Sequence, residues 1–141
     1  ALTLYFKALE LYRRIFGEKE LSAAHMYNEI GNVLQQKQGK VDEAVGMYER
    51  AIEIKKIRLG EKHPSVAESY INLATARHQK GDLEGSMELY RLANSLLGNT
   101  MPLDSRENKT QQEQNDVDHL HPSVAIIYHN VGLVYQDMGK L

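Results

Sequence analysis

His63-Pro64-Ser65-Val66-Ala67 returns unchanged as His121-Pro122-Ser123-Val124-Ala125, and each copy opens a stretch that closes on a glycine turn, at Lys80-Gly81-Asp82 and at Met138-Gly139-Lys140. An identity of this kind inside one short chain marks an internal repeat. Repeats build a long surface from successive units rather than a single cleft, so the pentapeptide weighs against an active site and towards a binding surface. Working outward from it, Gly39 to Gly81, Tyr48 to Tyr90 and Ala51 to Ala93 are each separated by 42 residues. Gly81 to Gly139 is instead 58, as is the spacing of the two pentapeptides, which leaves 16 additional residues between Leu96 and His121. Towards the start, Ala1-Leu-Thr-Leu-Tyr-Phe-Lys-Ala-Leu-Glu-Leu11 matches Ala44-Val-Gly-Met-Tyr-Glu-Arg-Ala-Ile-Glu-Ile54 at an offset of 43, and Gly17-Glu-Lys matches Gly60-Glu-Lys. The chain is therefore expected to begin inside a unit.

Each unit reads as two helices joined by a tight turn. In the second helix, Ala44, Val45, Met47, Tyr48, Ala51, Ile52 and Ile54 recur at one-, three- and four-residue steps and paint one broad apolar face. The first helix starts at Pro64 or Pro122, since proline at a first helical position sacrifices no hydrogen bond. It ends at a glycine able to take the left-handed conformation. Small residues at Gly31, Ala74 and Gly132 on the first helix, and at Ala44 and Ser86 on the second, suit close approach of the two backbones. The pattern predicts helices at 1–16, 22–38, 41–58, 64–80, 83–97 and 122–138. The corresponding units are 1–20 (second helix of a partial repeat), 21–62, 63–98, a disordered insertion at 99–120, and 121–141 (first helix of a truncated repeat). The insertion is rich in Asn, Gln, Asp and Glu, with Met101-Pro-Leu103 its one apolar anchor.

Composition excludes several classes of function. Of 141 residues, 17 are Lys or Arg and 19 Asp or Glu, a net charge of −2, which lacks the basic footprint of a nucleic-acid binder. There is no cysteine, hence no disulfide, thiolate nucleophile or Cys-based zinc site. No apolar run approaches the length of a membrane span. His119-x-His121 would place two imidazoles near a metal, but the proline-started helix already accounts for His121, as for His63. His25, His78 and His129 are spread over different units without a nucleophile motif, and no G-x-S-x-G, Walker loop or dinucleotide fingerprint occurs. Asn108-Lys-Thr110 fits a glycosylation sequon that a cytosolic module would leave unused. The expectation is a non-enzyme with no cofactor and no metal.

Tyr70-Ile-Asn-Leu-Ala-Thr-Ala-Arg-His-Gln-Lys-Gly-Asp82 and Tyr128-His-Asn-Val-Gly-Leu-Val-Tyr-Gln-Asp-Met-Gly-Lys140 resemble the tetratricopeptide repeat. The usual unit is 34 residues; the 42-residue unit here, with Tyr48-x-x-Ala-Ile-x-Ile ahead of Leu59-Gly-x-x-His-Pro-x-Val-Ala67, is similar to the kinesin light chain and nephrocystin-like subclass. Two departures stand out: Gly31 to Gly39 is one residue longer than Ala74 to Gly81, and Arg77 sits where the family carries an aromatic such as Tyr135. The resemblance implies an all-α solenoid of about six helices, wound as a right-handed superhelix, whose first helices line a concave peptide groove.

Mapped onto this sequence, the groove positions implied are His25, Asn28, Asn32 and Gln35; Glu68, Ile71, Thr75 and His78; and Ile126, His129, Leu133 and Gln136. Asn72 and Asn130 sit beside them, where the family's asparagines bond the backbone of an extended peptide. An amide both donates and accepts, so it suits a main-chain ligand; the same two residues would equally serve as structural bridges between helices. The Lys and Arg of a chaperone-type carboxylate clamp are absent, which predicts weak or no binding to chaperone C-terminal tails. Kinesin light chains favour acidic peptides with an apolar anchor; here the mostly uncharged wall, without Lys or Arg, favours an extended segment anchored near Ile71, Ile126 and Leu133. Two functions follow. One is a cytoplasmic protein-interaction scaffold, a cargo-adaptor or cytoskeletal-transport module that binds no nucleic acid and no membrane. The other is an assembly unit that self-associates, as a homodimer, through exposed terminal helices.

Overall fold

In the computed structural model, residues 2–17, 20–99, 103 and 121–139 are described. Six helices follow one another: α1 (Leu2–Phe16), α2 (Leu21–Gln36), α3 (Val41–Leu59), α4 (Pro64–Lys80), α5 (Leu83–Leu96) and α6 (Ser123–Gly139). The protein is an all-α solenoid, and the helix positions agree with the repeat spacing. α2 pairs with α3 and α4 with α5, α3 packs on α4 to join the two pairs, and α1 and α6 flank them.

The pentapeptide begins a helix for a reason beyond its proline. His63 turns its side chain back so that Nδ1 accepts the Ser65 backbone N–H at 3.1 Å, and His121 does the same for Ser123 at 3.1 Å. The imidazole thus satisfies one of the N–H groups that a helix start leaves without a partner. At the other end of α4, Gly81 takes φ 96°, and the N–H groups of Gly81 and Asp82 reach back to the carbonyls of His78 and Arg77 at 3.0 and 2.9 Å. Asp82 then caps α5 by accepting the Gly85 N–H at 3.0 Å. Two residues therefore suffice to reverse the chain.

The other turn differs. α2 stops at Gln36, two residues short of the predicted 38, because Lys37 is extended at φ −91°, ψ 133°. Four residues then separate α2 from α3, so the additional residue between Gly31 and Gly39 is absorbed in a looser turn. Arg77, the other departure, bridges two elements: Nη2 donates to Glu49 Oε1 on α3 at 3.1 Å and Nη1 to Asp82 Oδ2 at 3.2 Å.

The core runs continuously along the stack, with Ile30, Tyr48, Val66, Tyr90, Ile127 and Val134 among its fully buried side chains. Burying each such aliphatic chain contributes about 1.5–3 kcal/mol. The insertion is tied down where it starts. Asn99 is buried and its Nδ2 donates to Asn94 Oδ1 at 2.7 Å and to Tyr128 Oη at 3.1 Å, which joins α5 to α6, and Leu103 is buried in the core. Met101, residues 104–120 and with them His119 lie outside the described residues.

Candidate functional site

The first helices α2, α4 and α6 supply the side chains expected to meet a ligand, and two contacts tie these helices together near their C-terminal ends. Gln79 Nε2 donates to the Gln35 carbonyl at 3.2 Å, from α4 to α2. His78 Nε2 donates to Asp137 Oδ2 at 2.6 Å, from α4 to α6. Between α2 and α4 an open depression of about 540 Å³ is lined by Asn32, Gln35, Gln36 and Gln79. Four amides and no charge make a surface of paired donors and acceptors.

Of the residues singled out in the sequence, several are already engaged. Tyr48 on α3 is fully buried up to its hydroxyl, which lies 2.7 Å from Asn32 Oδ1 and 2.8 Å from Gln35 Oε1. A phenol has one proton, so it donates to one of these amides and the other turns its NH₂ towards the phenol oxygen. Burial, with the Glu29 charge adding to it, pushes the Tyr48 phenol up to about 12. The α4–α5 pair repeats the scheme. Thr75 donates to the Ile71 carbonyl at 2.9 Å and lies 3.3 Å from the Tyr90 hydroxyl, and burial pushes the Tyr90 phenol up as well. Asn72 on α4 and its equivalent Asn130 on α6 are both half-buried.

The remaining positions divide by exposure. Ile71 is only 7% exposed and belongs to the core, so it offers no anchor to a ligand. Ile126 and Leu133 are 52% and 41% exposed, and His25, His129 and Gln136 are exposed as well. Asn28 is half-buried, and its Oδ1 is buried without a hydrogen-bond partner among the described residues. Gln36, Gln79 and Asp137 went unnoticed in the sequence. Gln36 and Gln79 occupy equivalent positions at the offset of 43, which is the signal that would have found them; nothing local marks Asp137 as a partner of His78.

The model of the tetratricopeptide repeat family matches residues 1–56 and again 22–93. The chain belongs to the tetratricopeptide repeat family. Such repeats mediate contacts between proteins and do not catalyse reactions. Over 91 residues, 63% of the chain, it is 40% identical to nephrocystin-3 of Xenopus tropicalis and 39% identical to nephrocystin-3 of Xenopus laevis. It spans 7% of the length of these relatives. Among the described residues, no helix is long and apolar enough to cross a membrane.

Proposed function

We propose that the chain is a protein-interaction scaffold whose first-helix face holds an extended segment of a partner protein, in a cytoplasmic cargo-adaptor or cytoskeletal-transport module. The observation that carries this reading is the uncharged amide depression of Asn32, Gln35, Gln36 and Gln79. Amides at that density match the alternating N–H and C=O groups of an extended main chain, and the exposed Ile126 and Leu133 lie on the next first helix as apolar contacts. The transport role rests on the resemblance to kinesin light chains alone.

Fluorescence anisotropy with extended peptides tests it. Uncharged peptides carrying one large apolar residue are expected to bind, with a Kd that moves less than about twofold between low and high salt because no ion pair is formed. Gln36→Ala with Gln79→Ala removes two exposed amides and is expected to weaken binding about 5- to 30-fold, from roughly 1 kcal/mol per hydrogen bond. Low-micromolar binding that requires a C-terminal carboxylate would overturn the uncharged mode. Self-association is the second reading, and the exposed apolar residues of α1, Leu4, Leu11 and Ile15, favour it.

A further inference from the structure

We infer that Tyr48 is a positioning residue for the groove: its hydroxyl holds Asn32 and Gln35 in opposite senses, so that together they present one donor and one acceptor to the main chain of a single residue in an extended peptide. The inference rests on the reading of the amide depression as a peptide site and specifies what that site recognises.

Asn32 and Gln35 stand three residues apart on α2 and are therefore neighbours on one face of the helix. Both are half-buried and both line the depression. Tyr48 is fully buried on α3 and does not line it, so it acts on a ligand only through the amides it holds. Its hydroxyl lies 2.7 Å from the amide of Asn32 and 2.8 Å from that of Gln35.

A phenol has one proton to give and lone pairs with which to receive. Two amides at these distances cannot both meet it through their oxygens: one accepts the phenol proton and the other donates an N–H. The end of each amide that the phenol does not hold is left for the depression, an NH₂ from the first and an oxygen from the second. A hydrogen-bonded residue of a strand turns its N–H and C=O to the same side, which is the complement of that pair. Amides free to rotate would meet the same ligand only by losing that freedom on binding, which lowers affinity. Burial, with the Glu29 charge adding to it, keeps the phenol protonated far above neutral pH, so the proton that orders the pair is always present.

The α4–α5 pair lacks this arrangement. Thr75 stands in place of Asn32 and His78 in place of Gln35 at the offset of 43. Thr75 gives its one proton to the Ile71 carbonyl and His78 is turned to Asp137, so these two positions offer Tyr90 no amide to orient. Reading of the main chain by an oriented pair is thus confined to the α2–α3 unit, beside Gln79, which is itself pinned by donating to the Gln35 carbonyl.

Two measurements on Tyr48→Phe, which keeps the ring and deletes only the hydroxyl, decide the matter. In ¹⁵N relaxation of side-chain NH₂ groups, those of Asn32 and Gln35 are expected to be ordered in the wild type and mobile in the variant, with exposed Gln36 unchanged. Equal order in both proteins overturns the inference whatever peptides do. Fluorescence anisotropy then uses an uncharged, extended peptide carrying one leucine, together with versions N-methylated at one position each. The wild type is expected to bind the parent peptide and to lose about 5- to 10-fold on methylation at one position, the effect of one hydrogen bond. Tyr48→Phe is expected to bind the parent about 5- to 30-fold more weakly and to lose less than about threefold at that position. An unchanged Kd in Tyr48→Phe, at equal helicity by circular dichroism, overturns the positioning role and leaves the groove reading intact. A loss shared equally by parent and methylated peptides marks a merely structural role and overturns it too. Methylation that costs the wild type less than about twofold at every position overturns recognition of the main chain. Failure of the wild type to bind overturns the groove reading and this inference with it.

Discussion

His63 and His121 combine two helix-starting devices, since the following proline fixes the backbone while the imidazole Nδ1 accepts an N–H two residues on. His63→Ala is expected to cost about 1 kcal/mol, seen as a lower urea midpoint at unchanged slope, and His63→Asp to retain most of it, because a short carboxylate reaches the same N–H. An unchanged midpoint in His63→Ala would sink the capping role. Tyr48 makes a prediction of a different kind. Its phenol is pushed up to about 12 by burial first and by Glu29 second, whereas in the unfolded chain it titrates near the ordinary value of 10.0. Between those values the folded protein binds more protons than the unfolded one, so stability is fully present below pH 10 and falls as pH rises through the window to 12. The loss is about 2–3 kcal/mol at 1.36 kcal/mol per unit, and Tyr90 moves in the same direction. Urea melts at pH 9 and pH 11.5 are expected to differ much less in Tyr48→Phe than in the wild type; equal losses would refute the assignment. Prolines that start helices were legible at this scale. The histidine caps were not, because a cap depends on a side-chain rotamer that no spacing encodes.

At the scale of helices, the glycines at equivalent repeat positions separate local propensity from packing. Alanine favours a helix over glycine by about 1 kcal/mol wherever space allows. At Gly132 space is free, and Gly132→Ala is expected to stabilise the monomer by about that amount. At Gly31 the new methyl meets the buried, hydrogen-bonded Tyr48 ring at 2.7–3.0 Å, and overpacking of this kind costs about 1–3 kcal/mol. Gly31→Ala is therefore expected to destabilise on balance, by about 1 kcal/mol. Thermal melts of the two variants should move in opposite directions, and the same direction in both would mean that the close approach of α2 and α3 does not govern. Helix positions were legible because the 3.6-residue pattern, prolines and glycines all agree. The early end of α2 at Lys37 was not: an inserted residue is visible in an alignment, but whether it lengthens the helix or loosens the turn depends on what Gln35 contacts beyond its own helix.

For the whole molecule, the interval of 42 residues and the recurring small residue and tyrosine were enough to determine an all-α stack of helix pairs, since each amphipathic helix has one way to bury its face against the next. The interval of 58 located the insertion, and the mostly uncharged wall of the first helices was visible in the residue types. Tertiary structure decided which of those residues remain available. Ile71 went into the core, Thr75 went to the hydroxyl of Tyr90, and His78 went to Asp137, a residue 59 positions away. Asn99 and Leu103 likewise tied the start of the insertion to the core. The division has one physical cause. Periodicity reports which face of a helix must leave water, a property of the helix alone. A polar side chain beside that face takes whichever partner the neighbouring helices bring within about 3 Å, and that distance exists only after the helices have stacked.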